Sequence, residues 1–464
     1  MKKKLGLVIT DGVGFRNFIM SNFIEEAILQ FDEVILYSGL PVTAYTVLPA
    51  GVTVKELDVF EEGKLTWFFR KWKEVAHLQR GRAYYGMKDN KKMNYPNNSP
   101  TGLLIKLIYF VIYFHSSNRS ILWAERLQFL SFSKNRVTRT YLRMLDEDKP
   151  DHVFFTHQRP PFLAPMLYAA IRLKIPSSTF IFSWDNLASK GRMLGTFDYF
   201  LVWSELMKQE LLTFYPNVNP QHIAIVGTPQ FEPYVMPRYG STRDEFYKRF
   251  ALDPDKKIIC FSCADATIGK NDALVIRSIA LALKNNDVLF PCQLLVRTSP
   301  AEDGKRFLPL VQEFPEIIWN NPEWILTRTD HAESWSQRVP AEADIKDLRA
   351  ILEFSDLSIN MCSTMSLDFM IFDKPVINTV FGNVQNGLYN DQRFLKYVHY
   401  RKVIESGAVM VAKSAEELTA AINISLSSTD AAATARAAMI ELQISRPLPG
   451  TSRRIAESLS EFNG

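Results

Sequence analysis

The sequence predicts an α/β protein with two parallel-sheet domains, and three observations carry that prediction. At 464 residues the chain exceeds what one core ordinarily serves, so two domains of roughly 200 residues each are expected. Short apolar runs alternate with helical stretches throughout. Polar or glycine-bearing clusters stand where the apolar runs stop, which is where open α/β sheets bind ligands. The composition, 47% hydrophobic and 22% charged, excludes a disordered chain. A net charge of +4 does not call for a nucleic-acid partner. The charge is unevenly spread: residues 1–235 hold roughly 28 Lys/Arg against roughly 21 Asp/Glu, and the rest is slightly acidic.

Lys4–Thr10 reads as a buried strand. The basic start before it resembles a signal peptide, but the apolar part is too short and Asp11-Gly12 ends it. Asp11–Asn17 (DGVGFRN) reads as a glycine loop, Phe18–Leu29 as a helix and Asp32–Tyr37 as the next strand. The loop lacks a full GxGxxG, so it does not specify a dinucleotide. Residues 60–145 depart from this alternation. Trp67–Lys73 sets aromatics among bases, Lys88–Pro100 is polar, Leu103–Phe114 (LLIKLIYFVIYF) is very apolar, and Asn118–Leu145 is helical and basic. The apolar run is too short to span a bilayer. Two readings stay open: helices packing on the sheet or on each other, and a surface facing an anionic membrane.

The alternation resumes with strands at Asp151–Phe155, Ser178–Phe182, Tyr199–Val202 and His222–Val226, and helices at Phe162–Leu173 and Leu206–Phe214. Pro229–Thr242, rich in Pro, Tyr and Gly, reads as a linker. Beyond it come strands at Lys257–Ser262, Gln293–Val296, Ile317–Trp319, Leu357–Asn360, Lys374–Ile377 and Ala408–Val411. Helices are expected at Ala273–Lys284, Asp344–Phe354, Ala415–Leu426, Ala431–Ile444 and Ser452–Phe462. The expected domains are thus 1–235, carrying the insert at about 60–145, and 243–440. Residues 441–464 form a helix packing back towards the first domain. Four cysteines in apolar contexts, with one CxxC (Cys260, Cys263) and no second pair, point to a reducing cytosol and no zinc site.

The stretch Phe354–Val380 is the most specific. A strand, the small polar Cys362-Ser363-Thr364, and a helix opening at Met365 together make a place to hold an anion, though Ser363 as a plain N-cap is the simpler reading. This block, with Trp203–Leu211, Ile223–Phe231 (IAIVGTPQF), Asp344–Asp356 and Lys374–Ile377, resembles the GT-B glycosyltransferases. Their fold is two Rossmann-like domains facing each other across a cleft. The sequence is most similar to the CDP-glycerol glycerophosphotransferases and related bacterial surface-polysaccharide transferases, whose Ser-Ser-x-x-x-Asp turn is matched by Ser363, Thr364 and Asp368. It departs from them at Ser299, where they carry His, and at Met361, where they carry Asp. Those departures favour a more general sugar transferase.

The resemblance implies a nucleotide-sugar as substrate, no separate cofactor and no metal, with a glycan or lipid-linked acceptor. The donor would meet Ser363, Thr364, Arg297, Asp265 and Thr267, with Asp368 on the ribose. Gly14 and Arg16 would face the acceptor or phosphate side. A general base is expected from Asp11, His157 or Asp185, each just past a strand. Asp11 has the alternative of capping a helix, Asp185 of making a turn, and His157 of being a bonded loop histidine. His331 and Glu333 are further candidates near the nucleotide base. Alternatives to the transferase are a nucleotide-sugar 2-epimerase, a glycerophosphotransferase, and a non-catalytic assembly subunit. The expected location is cytoplasmic, including the inner face of the membrane.

Overall fold

A computed structural model describes residues 3–46, 48–329, 334–382, 391–427 and 431–462, without the side chains of 334 and 335. His331 and Glu333 lie outside the described residues. The chain divides into two units. The first comprises Met1–Gln230, Thr327–Val339 and Ile444–Gly464, and the second Phe231–Leu326 and Pro340–Gln443.

The first unit is built on a seven-stranded parallel sheet: β1 (Lys4–Ile9), β2 (Glu33–Ser38), β3 (Val52–Glu56), β4 (His152–Phe155), β5 (Ser177–Phe180), β6 (Tyr199–Val202) and β7 (Ile223–Ile225). The order is β3-β2-β1-β4-β5-β6-β7, so the winding reverses between β1 and β4. Buried strands without alternation, such as β4 with all four residues inside, follow from helices covering both faces. The expected glycine loop is instead a helix, α1 (Gly12–Phe18), because Asp11 caps it. Its carboxylate accepts the Gly14 N–H at 2.8 Å. Helix α2 (Phe23–Gln30) follows.

The insert forms α3 (Lys64–Arg80), α4 (Tyr85–Met93), α5 (Pro100–Phe114), α6 (Asn118–Phe132) and α7 (Arg136–Asp148). Val75, Ala76, Ile108, Tyr109, Ile112 and Ile121 form their shared core. Helix α5 is apolar on both sides. Ile108 and Ile112 are buried, while Leu103 (58% exposed), Leu107 (56%), Phe110 (66%) and Phe114 (67%) recur at helical spacing on the outside. Among the described residues no helix is long and apolar enough to cross a membrane. The helix Thr451–Glu461 packs on α2. Arg453 reaches Glu26 at 3.4 Å, and Phe462 stacks on Tyr199 with ring centroids 4.2 Å apart.

The second unit repeats the plan with six parallel strands: β8 (Lys257–Ser262), β9 (Cys292–Arg297), β10 (Ile318–Asn320), then, beyond the short β11 (Trp324–Leu326) and β12 (Arg338–Pro340), β13 (Leu357–Asn360), β14 (Val376–Thr379) and β15 (Met410–Ala412). The order β10-β9-β8-β13-β14-β15 reverses between β8 and β13. Ile259, Phe261, Val296, Ile359 and Ile377 from these strands meet Ile276, Ile279 and Ile422 from the covering helices in one core. The expected linker is not a solvated tether. Tyr234 and Tyr239 are buried within this unit, and Arg349 donates to the Met236 carbonyl at 2.7 Å. Aromatic side chains in a short connection gain more from burial than from solvent.

Candidate active site at the strand ends

In sheets of this kind the crevice at the winding reversal, beyond the carboxyl ends of the strands, is where ligands bind. In the first unit those ends belong to β1 and β4, whose register pairs Val8 with Phe155. Continuing both strands brings Asp11 and His157 together, and His157 Nδ1 lies 3.2 Å from Asp11 Oδ2. Thr10 Oγ1 donates to the same oxygen at 2.6 Å. Gly14 keeps the approach close: a Cβ there would stand 3.2 Å from Thr156 Oγ1, which would have to shift by a few tenths of an ångström.

The pair's electrostatics follow from burial, since Asp11 is 2% and His157 7% exposed. Burial pushes the Asp11 carboxyl up, but the hydrogen bond and charge of His157, with Thr10 and the Gly14 N–H, hold it below its ordinary 3.8. Burial depresses the His157 imidazole; Asp11 opposes this, Arg159 adds to it, Asp185 opposes it, and the net shift is below 6.5. At neutral pH this is therefore a carboxylate accepting a hydrogen bond from a neutral imidazole. An ionised carboxylate only accepts, so Nδ1 carries the proton and Nε2 holds the lone pair. Nε2 is buried and makes no hydrogen bond among the described residues. The ring is clamped by Phe182, stacked at 3.9 Å and 14°. Such a group can take a proton from a hydroxyl brought to Nε2.

Asp185 acts on His157 through its charge. Its Oδ1 accepts from Asn186 Nδ2 at 2.9 Å, and Lys190 Nζ lies 3.3 Å away. Arg16 turns to Asn17, donating from Nε at 3.2 Å.

The second unit's reversal lies at the ends of β8 and β13. Cys362 takes a left-handed backbone conformation (φ 47°) and turns the chain into the helix Met365–Ile371. Ser363 caps locally: its Oγ accepts the Met365 N–H at 3.1 Å. Thr364 precedes the helix without a side-chain cap bond of its own. Asp368 is buried and its Oδ1 accepts the Tyr234 hydroxyl, so a ribose there would have to displace that bond. Arg297 is buried in a two-pronged ion pair with Asp344 (3.0 and 2.9 Å) and also donates to Asn320 Oδ1. Its charge ties β9 and β10 to the helix Glu342–Phe354 and is already matched there. Asp265 folds its carboxylate onto the Thr267 N–H at 2.9 Å in an exposed turn.

The sequence reading missed the hub of this end. Asn360 Oδ1 accepts from Ser363 N (3.1 Å), Ser366 Oγ (3.1 Å) and Asn378 Nδ2 (3.2 Å). Tyr400 OH closes the network on Asn378 Oδ1 at 2.9 Å and on Ser366 at 2.7 Å. The signal was an Ile-Asn at the end of each of two apolar strands, which the sheet pairs in register. It also missed a buried acid pair past β8. Burial raises Asp272 to about 7 against the opposing Arg306, which lies 3.0 Å away. Burial likewise raises Asp391 to about 6, against Asn271, which donates to it at 2.7 Å.

The sequence matches no family model and none of the curated proteins. The fold does match solved structures. UDP-GlcNAc 2-epimerase from Neisseria meningitidis bound to UDP-GlcNAc superposes with a TM-score of 0.52 at 12% identity, over 99% of this chain and 100% of that one. The S. aureus MnaA–UDP co-structure gives 0.52 at 11% identity, over 99% and 96%. A glycosyltransferase from Rickettsia africae gives 0.51 at 14% identity, over 99% and 98%. The chain thus has the GT-B-type fold, two α/β units with parallel sheets, that these glycosyltransferase and epimerase structures share.

Proposed function

We propose that this chain is a glycosyltransferase that moves a sugar from a nucleotide-sugar donor to a glycan or lipid-linked acceptor in bacterial surface-polysaccharide synthesis. The observation that carries the reading is the Asp11–His157 pair at the reversal point of the first unit, with Nε2 buried and unengaged. In this reading the acceptor hydroxyl gives its proton to Nε2 as its oxygen bonds to the anomeric carbon. The bond from that carbon to the donor phosphate breaks, and the nucleoside diphosphate leaves with the electron pair. Asp11 orients the imidazole and stabilises the imidazolium. The donor is assigned to the strand ends of the second unit around Ser363 and Thr364, without a metal ion. The fold shared with structures solved with UDP or UDP-GlcNAc supports a nucleotide-sugar ligand.

The test is a screen of UDP, GDP, CDP and CMP compounds by thermal shift, followed by transfer assays with the sugars of the stabilising nucleotide. Transfer that survives EDTA and is lost in His157→Asn supports the reading; stabilisation by none of them sinks the donor site. UDP-GlcNAc converted with no acceptor present would favour the 2-epimerase instead. Product from CDP-glycerol would favour the glycerophosphotransferase despite Ser299 and Met361.

The exposed apolar face of α5 supports an anionic membrane surface as the place where a lipid-linked acceptor is met. Leu107, Phe110 and Phe114 stand outward, with Lys106 on the same helix and Lys88, Lys91 and Lys92 on the neighbouring α4. Vesicles rich in anionic phospholipid should pellet the protein and high salt should release it; a protein that stays in the supernatant at low salt rejects the membrane reading.

A further inference from the structure

Beside the loop that carries His157, the first unit has a cavity of about 330 Å³, large enough for a small ligand group. Arg159 and Arg192 line it, with the amides of Asn90 and Asn94, and Ile105 and Tyr109 of α5 form an apolar wall. Its guanidinium groups are not used up by the protein. Among the described residues, Arg159 Nε is buried without a hydrogen-bond acceptor, and so are Arg192 Nε and one terminal nitrogen of Arg192, a side chain 6% exposed. Arg192 Cζ stands over the Tyr215 ring, 4.3 Å from its centre.

The charges in and behind the cavity do not balance. Arg70 is held by Glu62 and Glu74, and Lys71 also rests on Glu74. Lys73 donates to the Leu194 carbonyl at 2.6 Å, and Lys73 and Arg192 share Glu125 at 3.7 and 3.8 Å, too far for hydrogen bonds; among the described residues Arg159 has no carboxylate partner. Among these described groups, five cations thus stand against three acids. The titrating neighbours register the same excess. Burial depresses Lys73 to about 8; the charge of Glu125 opposes this and that of Arg192 adds to it. His77 is held well below 6.5, first by burial and then by Arg192, Arg80 and Arg159. A buried guanidinium group that lacks hydrogen-bond acceptors is costly unless an anion meets it.

We propose that this cavity is the anion subsite of the acceptor, taking a phosphate group carried by the acceptor molecule on the Arg159 and Arg192 guanidinium groups. The proposal rests on the transferase reading and names its acceptor class: a phosphate-bearing one rather than a neutral glycan. Arg159 follows His157 by two residues on one loop, so a phosphate held there is placed by the same segment that carries the base. The phosphate comes either from a lipid-linked acceptor, whose chain would leave along the apolar wall of α5, or from a soluble sugar phosphate.

The experiment is calorimetric titration and thermal shift of the full chain with two probes, inorganic pyrophosphate and decyl phosphate, with chloride of equal ionic strength as control. Both probes should bind the wild type and raise its Tm. Arg159→Gln should weaken binding about tenfold or more, the size of one charge-assisted hydrogen bond, and should leave the Tm without probe unchanged or raised, since it removes an unmatched charge. Arg192→Gln should weaken binding further; if it fails to fold, the part-exposed Arg159 variant decides alone. Decyl phosphate binding tighter than pyrophosphate assigns the lipid source, and equal binding assigns the soluble one. Unchanged affinity in both variants, or no binding of either probe to the wild type, overturns the subsite. His157→Asn separates the two proposals. If it binds both probes normally, the subsite stands even where no acceptor is ever glycosylated. Transfer to neutral glycans with no effect of pyrophosphate would keep the transferase and remove the subsite.

Discussion

The two units repeat one plan, yet their strand ends differ in kind. At the reversal of the first, a carboxylate and an imidazole are buried together and one ring nitrogen is left open. At the reversal of the second, amides and hydroxyls close on one another around Asn360, and the charged groups nearby, Arg297 and Asp368, are already met by Asp344 and Tyr234. A carboxylate bonded to a neutral imidazole that keeps a lone pair on Nε2 is suited to moving a proton; a neutral network of amides and hydroxyls is suited to holding backbone in one shape. The difference teaches that, in the transferase reading proposed above, the same crossover would serve chemistry in one sheet and positioning in the other, according to which side chains the strand ends carry.

The comparison can be broken most decisively at His157. Replacing it with Asn should lower kcat about 10²–10⁴-fold while nucleotide binding persists; steady-state kinetics beside nucleotide titration would read both, and an unchanged kcat would remove the proton-transfer role. Next comes Asp344→Ala, which leaves Arg297 buried and unpaired and should destabilise by about 3–5 kcal/mol in urea unfolding. A small change there would mean that Arg297 is free to bind ligand after all. Asn360→Ala strips the second unit's hub and should cost about 1–3 kcal/mol, with little change in the pH profile of the rate.

A subtler test uses pH. Both members of the Asp11–His157 pair titrate below their ordinary values in the fold. Their contribution to stability is therefore full above 6.5, declines as pH falls below 6.5 through the folded value of His157, and declines again below 3.8 through that of Asp11. Asp11→Asn removes the charge that supports the imidazolium, so the acid limb of kcat should move to lower pH. A limb that stays in place would separate the two residues. The smallest effect is expected from Phe110→Ser, within about 0.5 kcal/mol in stability because the ring is exposed, with weaker sedimentation on anionic vesicles as its signature.

Much of this architecture was legible beforehand. Tyr199–Val202, Lys257–Ser262 and Leu357–Asn360 are strands with the bounds their apolar runs suggested, because buried parallel strands carry their own signal. Val52–Glu56 was overlooked because an edge strand half open to water lacks that run. Helix α1 hid behind its glycines, of which Gly14 faces Thr156 at close range instead of marking a loop. Asp11 and His157 each stood out as polar residues past a strand, but their pairing across 146 positions depends on β4 lying beside β1, which no local pattern reveals. Arg297 and Asp368 looked like ligand-binding groups because their partners, Asp344 and Tyr234, are equally remote in sequence.

The first unit's chain is interrupted: it gathers residues 1–230, 327–339 and 444–464. On the ribosome, the face of α2 that receives the helix Thr451–Glu461 must therefore wait, uncovered, while the whole of the second unit's sequence emerges. Arg446 and Arg454, which donate to the carbonyls of Ile225 and Val226 beside the edge strand β7, arrive equally late. Completion of the half that carries the Asp11–His157 pair is thereby delayed until the other half has been made, so a fragment ending near Gln230 would leave the translation machinery sticky at α2 and ragged at β7. Nascent-chain stalling at successive lengths, read by protease resistance, would reveal this as a first unit that hardens only after residue 462 has cleared the exit tunnel.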